Sequence, residues 1–371
     1  MKIVIDSNIP FIKGVLEPYA KVKYAEGSRI DRDILTDADA MVIRTRTRCN
    51  SELLNGTPVK FIGTATIGTE HIDLDWCRSA GIECASAPGC NAASVMQYIA
   101  SSLAYLVINH ELDPAETTIG LIGIGNVGSS VAKMTEACGF RVLLNDPPRQ
   151  RDEGDREFST VNEIKDKSDI LSIHVPLTYE GRDKTFRMVD KKFLSGLKEG
   201  AIIINTSRGD VIEEKALLDY LKLNRLKAAL LDVWNNEPHI NRQLLDMTDI
   251  GTPHIAGYSL DGKARGAAMI VNRLAEHFKL PLAGWEPEPP PSPDNHVIDI
   301  SAYSGNDQNI ISRAIYHTYN VEDDNAMLKK EPWVFEQLRN NYRHRREFGA
   351  YKIKGDNFAV INKLKKIGFT Q

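Results

Sequence analysis

Residues 119–128 read IGLIGIGNVG, an apolar run that ends in the glycine pattern Gly123-x-Gly125-x-x-Gly128. The first glycine allows a tight turn out of a strand, the second lets the backbone approach a pyrophosphate, and the third lets the next helix pack closely. The amide groups at the start of that helix would then face the phosphates. The stretch therefore predicts a strand–turn–helix unit that binds a dinucleotide.

The flanking sequence supplies the strand–helix–strand setting that this motif requires. Residues 118–122 are rich in β-branched side chains, Val127–Ala137 predicts a helix, and Arg141–Asn145 predicts a second strand. Asp146 follows that strand, where a carboxylate can bind both ribose hydroxyls of NAD and would repel the additional phosphate of NADP. We therefore expect NAD as the cofactor, the alternative being a plain glycine turn of an α/β protein.

The composition is that of a globular protein with two or three domains. Of the 371 residues, 42% are hydrophobic and 26% are charged, and the net charge of -4 gives no overall attraction to nucleic acid or to anionic membranes. The five cysteines include no C-x-x-C pair, which indicates reduced thiols rather than a disulfide framework or a metal site. No signal peptide or membrane span is evident, so we expect a cytoplasmic enzyme with no metal, nucleic-acid or membrane partner.

Strand-like segments that alternate with helices predict an α/β fold with a doubly wound parallel sheet after residue 117. Six segments carry this pattern, namely TIGLIG, RVLLND, DILSIHV, AIIINT, AALLDV and DIGTPHI. A smaller α/β pattern precedes them, with strands in KIVID, ADAMVIRT, VKFIGTAT and IECASA. Long helices are predicted over 91–110 and 259–279.

A proline-rich stretch at 286–293 predicts a linker to a C-terminal segment. This segment has strand signals at 296–300 and 358–361 and a helical stretch at 334–347. Four arginines lie in that stretch, namely Arg339, Arg343, Arg345 and Arg346. They predict a solvated helix face, or else an ion-pairing or phosphate-reaching role at an interface; the acidic overall charge disfavours nucleic-acid binding.

Three charged residues follow strands of the predicted sheet, at the edge where open α/β sheets bind ligands. Arg208 follows AIIINTS, Glu237 follows AALLDVW, and His254 ends DIGTPH. Arginine can bind a substrate carboxylate with two hydrogen bonds, histidine can accept a hydroxyl proton, and a carboxylate can orient that histidine. The spacing alone also permits ordinary surface or loop roles for each residue.

A second cationic site is suggested by Arg44-Thr45-Arg46-Thr47-Arg48, which follows the strand ADAMVI. If the strand continues, its alternation places Arg44, Arg46 and Arg48 on one face. An unphosphorylated hydroxy acid would not need these charges, so the pattern favours a phosphorylated substrate. The alternative is a solvated basic edge strand.

Three motifs together resemble the D-2-hydroxyacid dehydrogenase family: NTSRGDVIEEKAL at 205–217, LDVWNNEP at 231–238 and TPHIAG at 252–257. The resemblance implies oxidation of a 2-hydroxy acid, with Arg208, Glu237 and His254 as the catalytic set. It also implies a Rossmann NAD domain at 96–255 inserted in a flavodoxin-like substrate domain. That substrate domain would comprise 1–95 and 256–285. A closer resemblance, to one branch of the family, adds a C-terminal α+β dimerisation domain at 286–371 and hence a homodimer.

A closer resemblance to one branch of this family, whose substrate is phosphorylated, rests on shorter motifs. These include GTAT at 63–66, APGCNA at 87–92, DPPR at 146–149, HIAGY at 254–258, GKARG at 262–266 and LRNNYRHRREF at 338–348. It implies substrate contacts at Arg44, Thr45, Arg46, Thr66 and Tyr258. For NAD it implies contacts at Gly123, Gly125, Asn126, Val127, Gly128, Asp146, Val175, Thr206, Asp232 and Gly257. Alternatives are another dehydrogenase of the family, such as one acting on 3-phosphoglycerate, or an NAD-sensing regulator without catalysis.

Overall fold

The computed structural model describes residues 1–154, 158–343 and 345–371. These residues fall into two compact units. The first unit comprises Met1–Asn91 and Ser259–Pro291, and the second comprises Ala92–Tyr258 and Ser292–Gln371.

Strands and helices alternate along most of the described chain. The strands are β1 (Lys2–Asp6), β2 (Lys21–Ala25), β3 (Ala40–Ile43), β4 (Phe61–Thr64), β5 (Glu83–Ala85), β6 (Thr118–Ile122), β7 (Arg141–Asn145), β8 (Ile170–Ile173), β9 (Ala201–Asn205), β10 (Leu226–Leu231), β11 (Ile250–Gly251), β12 (Val297–Asp299) and β13 (Lys352–Lys354). The helices are α1 (Arg32–Leu35), α2 (Ser51–Leu54), α3 (Leu74–Ser79), α4 (Ala92–Asn109), α5 (Asn126–Ala137), α6 (Pro147–Glu153), α7 (Val161–Lys167), α8 (Lys191–Leu194), α9 (Glu214–Lys222), α10 (Arg242–Met247), α11 (Leu260–Phe278), α12 (Asp307–Thr318), α13 (Val321–Lys330), α14 (Phe335–Asn340) and α15 (Phe358–Lys366).

The first unit is built on a parallel sheet with the strand order β2-β1-β3-β4-β5, which is the flavodoxin-like order. Strands β3 and β4 are buried along their whole length, as expected for parallel strands covered on both faces. Gly63 of β4 makes room for α11, because a Cβ there would lie 2.4 Å from Ile270 Cγ2. Thus α11 packs on the sheet formed by the first 91 residues, although it comes much later in the chain.

The second unit contains a parallel sheet with the order β11-β10-β9-β8-β6-β7. These are the six segments predicted from the sequence, so the doubly wound α/β fold is confirmed. The strand order reverses between β6 and β8, and ligands of open α/β sheets bind at such a point, beyond the carboxyl ends of the strands. Arg208, Glu237 and His254 all follow strands of this sheet.

The C-terminal residues share the core of the second unit. Strands β12 and β13 form a two-stranded parallel sheet, and α12 packs along α4. By length and composition α4 could cross a membrane, but 61% of it is buried inside the protein, which is typical of a core helix. A separate C-terminal domain, and with it the predicted three-domain division, stays a prediction.

Two predictions for the C-terminal segment are wrong. Residues 358–361 begin a helix, α15, because the Asn357 side chain accepts a hydrogen bond from the amide of Val360 and caps the first turn. The buried positions Val360, Ile361 and Leu364 follow helical spacing, which four residues were too few to reveal. The helix predicted over 334–347 ends at Asn340, and residue 344 of that stretch lies outside the described residues.

The close packing of α5 against β6 requires a residue without a side chain at position 128. A Cβ at Gly128 would lie 2.0 Å from the carbonyl oxygen of Gly123, so α5 could not keep its distance from β6. We expect Gly128→Ala to lower the free energy of unfolding by about 1–3 kcal/mol. Gly125→Ala is the matched control, because nothing lies within 4 Å of its Cβ position. Thermal unfolding of both variants checks this, and equal midpoints would contradict the packing argument.

Candidate active site

The glycine pattern forms a turn that leads from β6 into α5. Gly123 has a φ of +89°, and a Cβ there would lie 2.6 Å from the carbonyl oxygen of His174, so only glycine fits. Gly125 is the N-cap of α5, and no side chain among the described residues caps this helix. Its amide groups, including those of Asn126 and Val127, are therefore placed to bind an anion.

Asp146 stands at the end of β7, beside this turn. Its Oδ2 accepts a hydrogen bond from the amide of Ile124 at 2.7 Å, and its Oδ1 accepts one from the amide of Arg149 at 3.0 Å. Carboxylate oxygens have a second lone pair each, so Asp146 can still accept from ribose hydroxyls. The Thr206 hydroxyl is buried with no partner among the described residues, and the Val175 side chain lies close to Gly123. These features fit a dinucleotide.

Asp232 lies beneath the loop that carries His254 and is only 1% exposed. Its carboxylate accepts hydrogen bonds from the Thr252 hydroxyl at 2.7 Å and from the amides of Ile255 at 2.7 Å and Ala256 at 2.9 Å. Burial raises the pKa of Asp232 above its ordinary value, although these bonds oppose the rise. The observed contacts give Asp232 a supporting role in the loop, and direct contact with NAD stays a prediction, as it does for Gly257.

His254 and Glu237 form a hydrogen-bonded pair. His254 has a left-handed backbone with a φ of +56°, and its Nδ1 lies 2.7 Å from Glu237 Oε2. The other oxygen, Oε1, accepts from the amide of Trp234 at 3.0 Å. A carboxylate at this position assigns the ring proton to Nδ1, so that Nε2 carries the lone pair. The pair can therefore accept a proton at Nε2.

Several contacts determine the charge state of Glu237. Burial raises the pKa of Glu237. The hydrogen bond and charge of His254, the amide of Trp234 and the charge of Arg339 together lower it by more than burial raises it, so the pKa lies below its ordinary value. Arg339 Nη1 is 3.8 Å from Glu237 Oε2. Glu237 is therefore an ionised partner for His254 near neutral pH.

The loop that carries Arg208 touches the loop that leads to Glu237. A Cβ at the next residue, Gly209, would lie 2.1 Å from the carbonyl carbon and oxygen of Trp234, so glycine permits the contact between the loops after β9 and β10. Arg208 is half-buried, and its Nη1 donates to the carbonyl of Ser207 at 2.9 Å. No role was predicted for Gly209 from the sequence, although it lies inside the motif NTSRGDVIEEKAL at 205–217.

The arginines of the C-terminal segment do not form a solvated helix face, so that prediction is wrong. Arg345 is 4% exposed and Arg346 is 9% exposed. Arg345 lies 4.4 Å from the ring centroid of Tyr319 and donates to the carbonyl of Ala256 at 2.5 Å. Arg343 pairs with acidic residues of α13, and Arg339 faces Glu237. The alternative of an ion-pairing role is the one that the contacts favour.

The predicted substrate residues of the first unit lie in loops. Strand β3 ends at Ile43, so Arg44, Arg46 and Arg48 do not alternate along a strand, and the common face predicted for them is wrong. Thr47 is only 2% exposed, and its hydroxyl donates to the carbonyl of Gly27 at 2.8 Å, which directs the chain inward at this point.

The contacts described for Arg44, Thr66 and Tyr258 each lie within one unit. Arg44 Nη1 donates to the carbonyl of Asn8 at 3.4 Å, and Thr45 and Arg46 are exposed. The Thr66 hydroxyl is 2.7 Å from that of Thr64. Tyr258, in the second unit, accepts a hydrogen bond from Arg339 Nε at 3.1 Å. Substrate contact by any of them stays a prediction.

The second unit matches a known family. Residues 107–256 match the model described as the NAD-binding domain of the D-isomer specific 2-hydroxyacid dehydrogenases, and 292–368 match one described only as a domain of unknown function. The solved D-lactate dehydrogenase of Aquifex aeolicus, complexed with NAD and lactic acid, superimposes with a TM-score of 0.63 at 25% identity. That match covers 75% of this chain and 96% of the other. The fold and the site therefore define an NAD-dependent dehydrogenase of 2-hydroxy acids.

Relatives along the whole chain are more specific. The erythronate-4-phosphate dehydrogenase of Bacteroides thetaiotaomicron is 48% identical over 356 residues, which are 96% of this chain and 99% of the relative. The enzyme of that name from Salmonella arizonae is 39% identical, over 100% of this chain and 98% of the relative. The chain belongs to the erythronate-4-phosphate dehydrogenase family, within the D-isomer specific 2-hydroxyacid dehydrogenases. The resemblance found in the sequence is confirmed, and so is NAD as the cofactor.

The lowered pKa of Glu237 predicts a pH-dependent contribution to stability. Above the ordinary value of 4.5 the ionised carboxylate stabilises the folded state, and this contribution is lost as the pH falls through the lower pKa of the folded protein. We expect Glu237→Gln to unfold at lower temperature than the wild type at pH 7, with the difference shrinking below about pH 4.5. Glu199→Gln, at an exposed site of the same unit, is the control. A difference that is constant from pH 7 to pH 3.5 would contradict the assignment.

Proposed function

We propose that this chain oxidises 4-phospho-D-erythronate at C2 to (R)-3-hydroxy-2-oxo-4-phosphooxybutanoate. The observation that carries the proposal is the 2.7 Å contact between His254 Nδ1 and Glu237 Oε2, next to the loop of Arg208. The names of the two full-length relatives support the choice of substrate. The reaction is a step in the synthesis of pyridoxal 5′-phosphate (vitamin B6).

In this proposal His254 is the acid–base catalyst. Glu237 holds the proton on Nδ1, and Nε2 removes the proton of the C2 hydroxyl. The Glu237 carboxylate stabilises the imidazolium that forms, since an ionised partner favours the charged ring. NAD, when bound, accepts the hydride that leaves C2 and so balances the reaction.

Arg208 is proposed to bind the substrate carboxylate and to polarise the oxygen at C2. Its guanidinium can offer two parallel hydrogen bonds to a carboxylate, which lysine cannot do. Arg44, Thr45, Arg46, Thr66 and Tyr258 are proposed to bind the remainder of the substrate. The exposure of Thr45 and Arg46 supports the idea that they can reach a ligand phosphate.

The cofactor residues are assigned in the same proposal. Gly125, Asn126, Val127 and Gly128 would place the N-terminus of α5 against the pyrophosphate, and Asp146 would accept from the ribose. The buried Thr206 hydroxyl, which has no partner among the described residues, supports a contact with the cofactor. Gly123, Val175, Asp232 and Gly257 complete the proposed set.

A substrate panel tests the reaction. With NAD in excess, we expect 4-phospho-D-erythronate to be oxidised with at least about tenfold higher kcat/KM than 3-phosphoglycerate, because an enzyme distinguishes substrates by differential binding of the transition state. His254→Ala should abolish turnover and leave NAD binding, measured by fluorescence titration of NADH, unchanged. Preference for 3-phosphoglycerate would point to the rival dehydrogenase, and binding without any turnover would point to a regulator.

We further propose that the enzyme is a cytoplasmic homodimer. The five cysteines are all free thiols, which supports a reducing compartment. Deletion of residues 286–371 cannot test the dimer, because the C-terminal segment contributes Ile298, Ile311 and Ile315 to the core of the second unit. The intact chain should instead sediment at twice the monomer mass in analytical ultracentrifugation, and a monomer at micromolar concentration would refute the dimer.

A further inference from the structure

One arginine of the C-terminal segment touches the catalytic pair. Arg339 lies on α14, which is anchored by Phe335 with 1% exposure. Its Nε donates to the Tyr258 hydroxyl at 3.1 Å, and its Nη1 lies 3.8 Å from Glu237 Oε2. That oxygen is the one that binds His254 Nδ1 at 2.7 Å. A guanidinium from far along the chain therefore faces two proposed functional side chains at once.

We propose that Arg339 is a positioning residue of the active site, which fixes the Tyr258 hydroxyl and supplies a positive charge to the Glu237–His254 pair. The inference rests on the acid–base role given to that pair under the proposed function. It makes the C-terminal segment a contributor to catalysis, although Arg339 need not touch substrate or cofactor.

The electrostatic surroundings of the pair support this role. The side chains of Arg339 and Glu237 are 25% and 18% exposed, so water screens their attraction only in part. Other titratable groups that face the pair are Asp232, below the His254 loop, and Glu214 of α9. Both are acidic and favour protonation of the pair. Arg339 opposes them, and its charge contributes to the lowered pKa of Glu237.

Tyr258 is fixed by the same guanidinium. The Arg339 guanidinium carbon lies 5.9 Å from the centroid of the Tyr258 ring, and the Tyr342 ring meets the same ring edge-on at a centroid distance of 6.0 Å. Because Arg339 donates to the hydroxyl oxygen, the hydroxyl hydrogen is directed away from it. The planar fork of arginine suits this double task better than the single ammonium of lysine.

The test compares Arg339→Met, Arg339→Lys and the control Gln337→Met, an exposed position on the same helix. Removal of a positive charge favours protonation of either member of the pair, so the acid limb of the kcat/KM profile should move to higher pH by about one unit in Arg339→Met. We expect kcat/KM at pH 7 to fall about tenfold with the KM for NAD unchanged. In Arg339→Lys the acid limb should return to its wild-type pH. Gln337→Met should have the same acid limb and the same kcat/KM as the wild type.

A readout without turnover separates this inference from the proposed function. In full-length protein with NAD bound, the ring nitrogen NMR signals of His254, assigned with His254→Asn, should titrate at higher pH in Arg339→Met than in the wild type. If the wild type does not oxidise 4-phospho-D-erythronate but this titration moves, the proposed function fails and the inference stands.

The inference is overturned if neither the titration nor the acid limb moves in Arg339→Met. It is also overturned if activity falls only in proportion to folded protein, measured by circular dichroism, at an unchanged limb. Should Arg339→Met not fold, Arg339→Gln retains a donor for Tyr258 and lacks the charge, and the same shift is expected. If the acid limb of Arg339→Gln stays at its wild-type pH, the proposal is contradicted as well.

Discussion

The geometry of the loop at 252–256, which carries His254, depends on the buried carboxylate of Asp232. This carboxylate accepts hydrogen bonds from the Thr252 hydroxyl and from the amides of Ile255 and Ala256. The backbone carbonyl of Asp232 accepts a further hydrogen bond from the His254 amide at 2.8 Å. A left-handed backbone at a histidine costs about 1–3 kcal/mol. A hydrogen bond contributes about 0.5–1.5 kcal/mol net, so the three that Asp232 accepts are together of the size needed to offset this cost.

The loops that carry the proposed catalytic residues leave neighbouring strands. Strands β9, β10 and β11 are adjacent and parallel, so the loops that carry Arg208, Glu237 and His254 leave the same edge of the sheet. Trp234 connects these loops, since its backbone abuts Gly209 and its indole nitrogen donates to the carbonyl of Thr252 at 2.9 Å. The arrangement is thus a property of strand order and close backbone contact more than of the catalytic residues themselves.

Elements whose residue pattern is dictated by burial could be predicted from the sequence. Strands β6 and β7 lie at the predicted residues 118–122 and 141–145, because a short apolar run bounded by glycine or an acid is typical of a parallel strand. Elements whose conformation is determined by tertiary contacts could not be predicted in this way. The turn at 44–48 depends on the inward hydrogen bond of Thr47, and the burial of Arg345 depends on Tyr319, which no local pattern reveals. Arg208, Glu237 and His254 could be proposed as a catalytic set from the sequence, but the hydrogen bonds by which Asp232 supports the His254 loop could not be predicted.

The C-terminal segment also binds the loop at 252–256, through the carbonyl of Ala256. The Ala256 amide donates to Asp232, whereas its carbonyl accepts from Arg345. Burial of an arginine costs several kcal/mol unless partners compensate. Part of that compensation comes from Asp324, which is 1% exposed and accepts from the hydroxyls of two tyrosines that pack against Arg345, Tyr319 at 2.9 Å and Tyr342 at 2.7 Å. The loop at 252–256 is therefore held by hydrogen bonds to two buried side chains, Asp232 and Arg345, and the C-terminal segment cannot be separated from the folding of this loop.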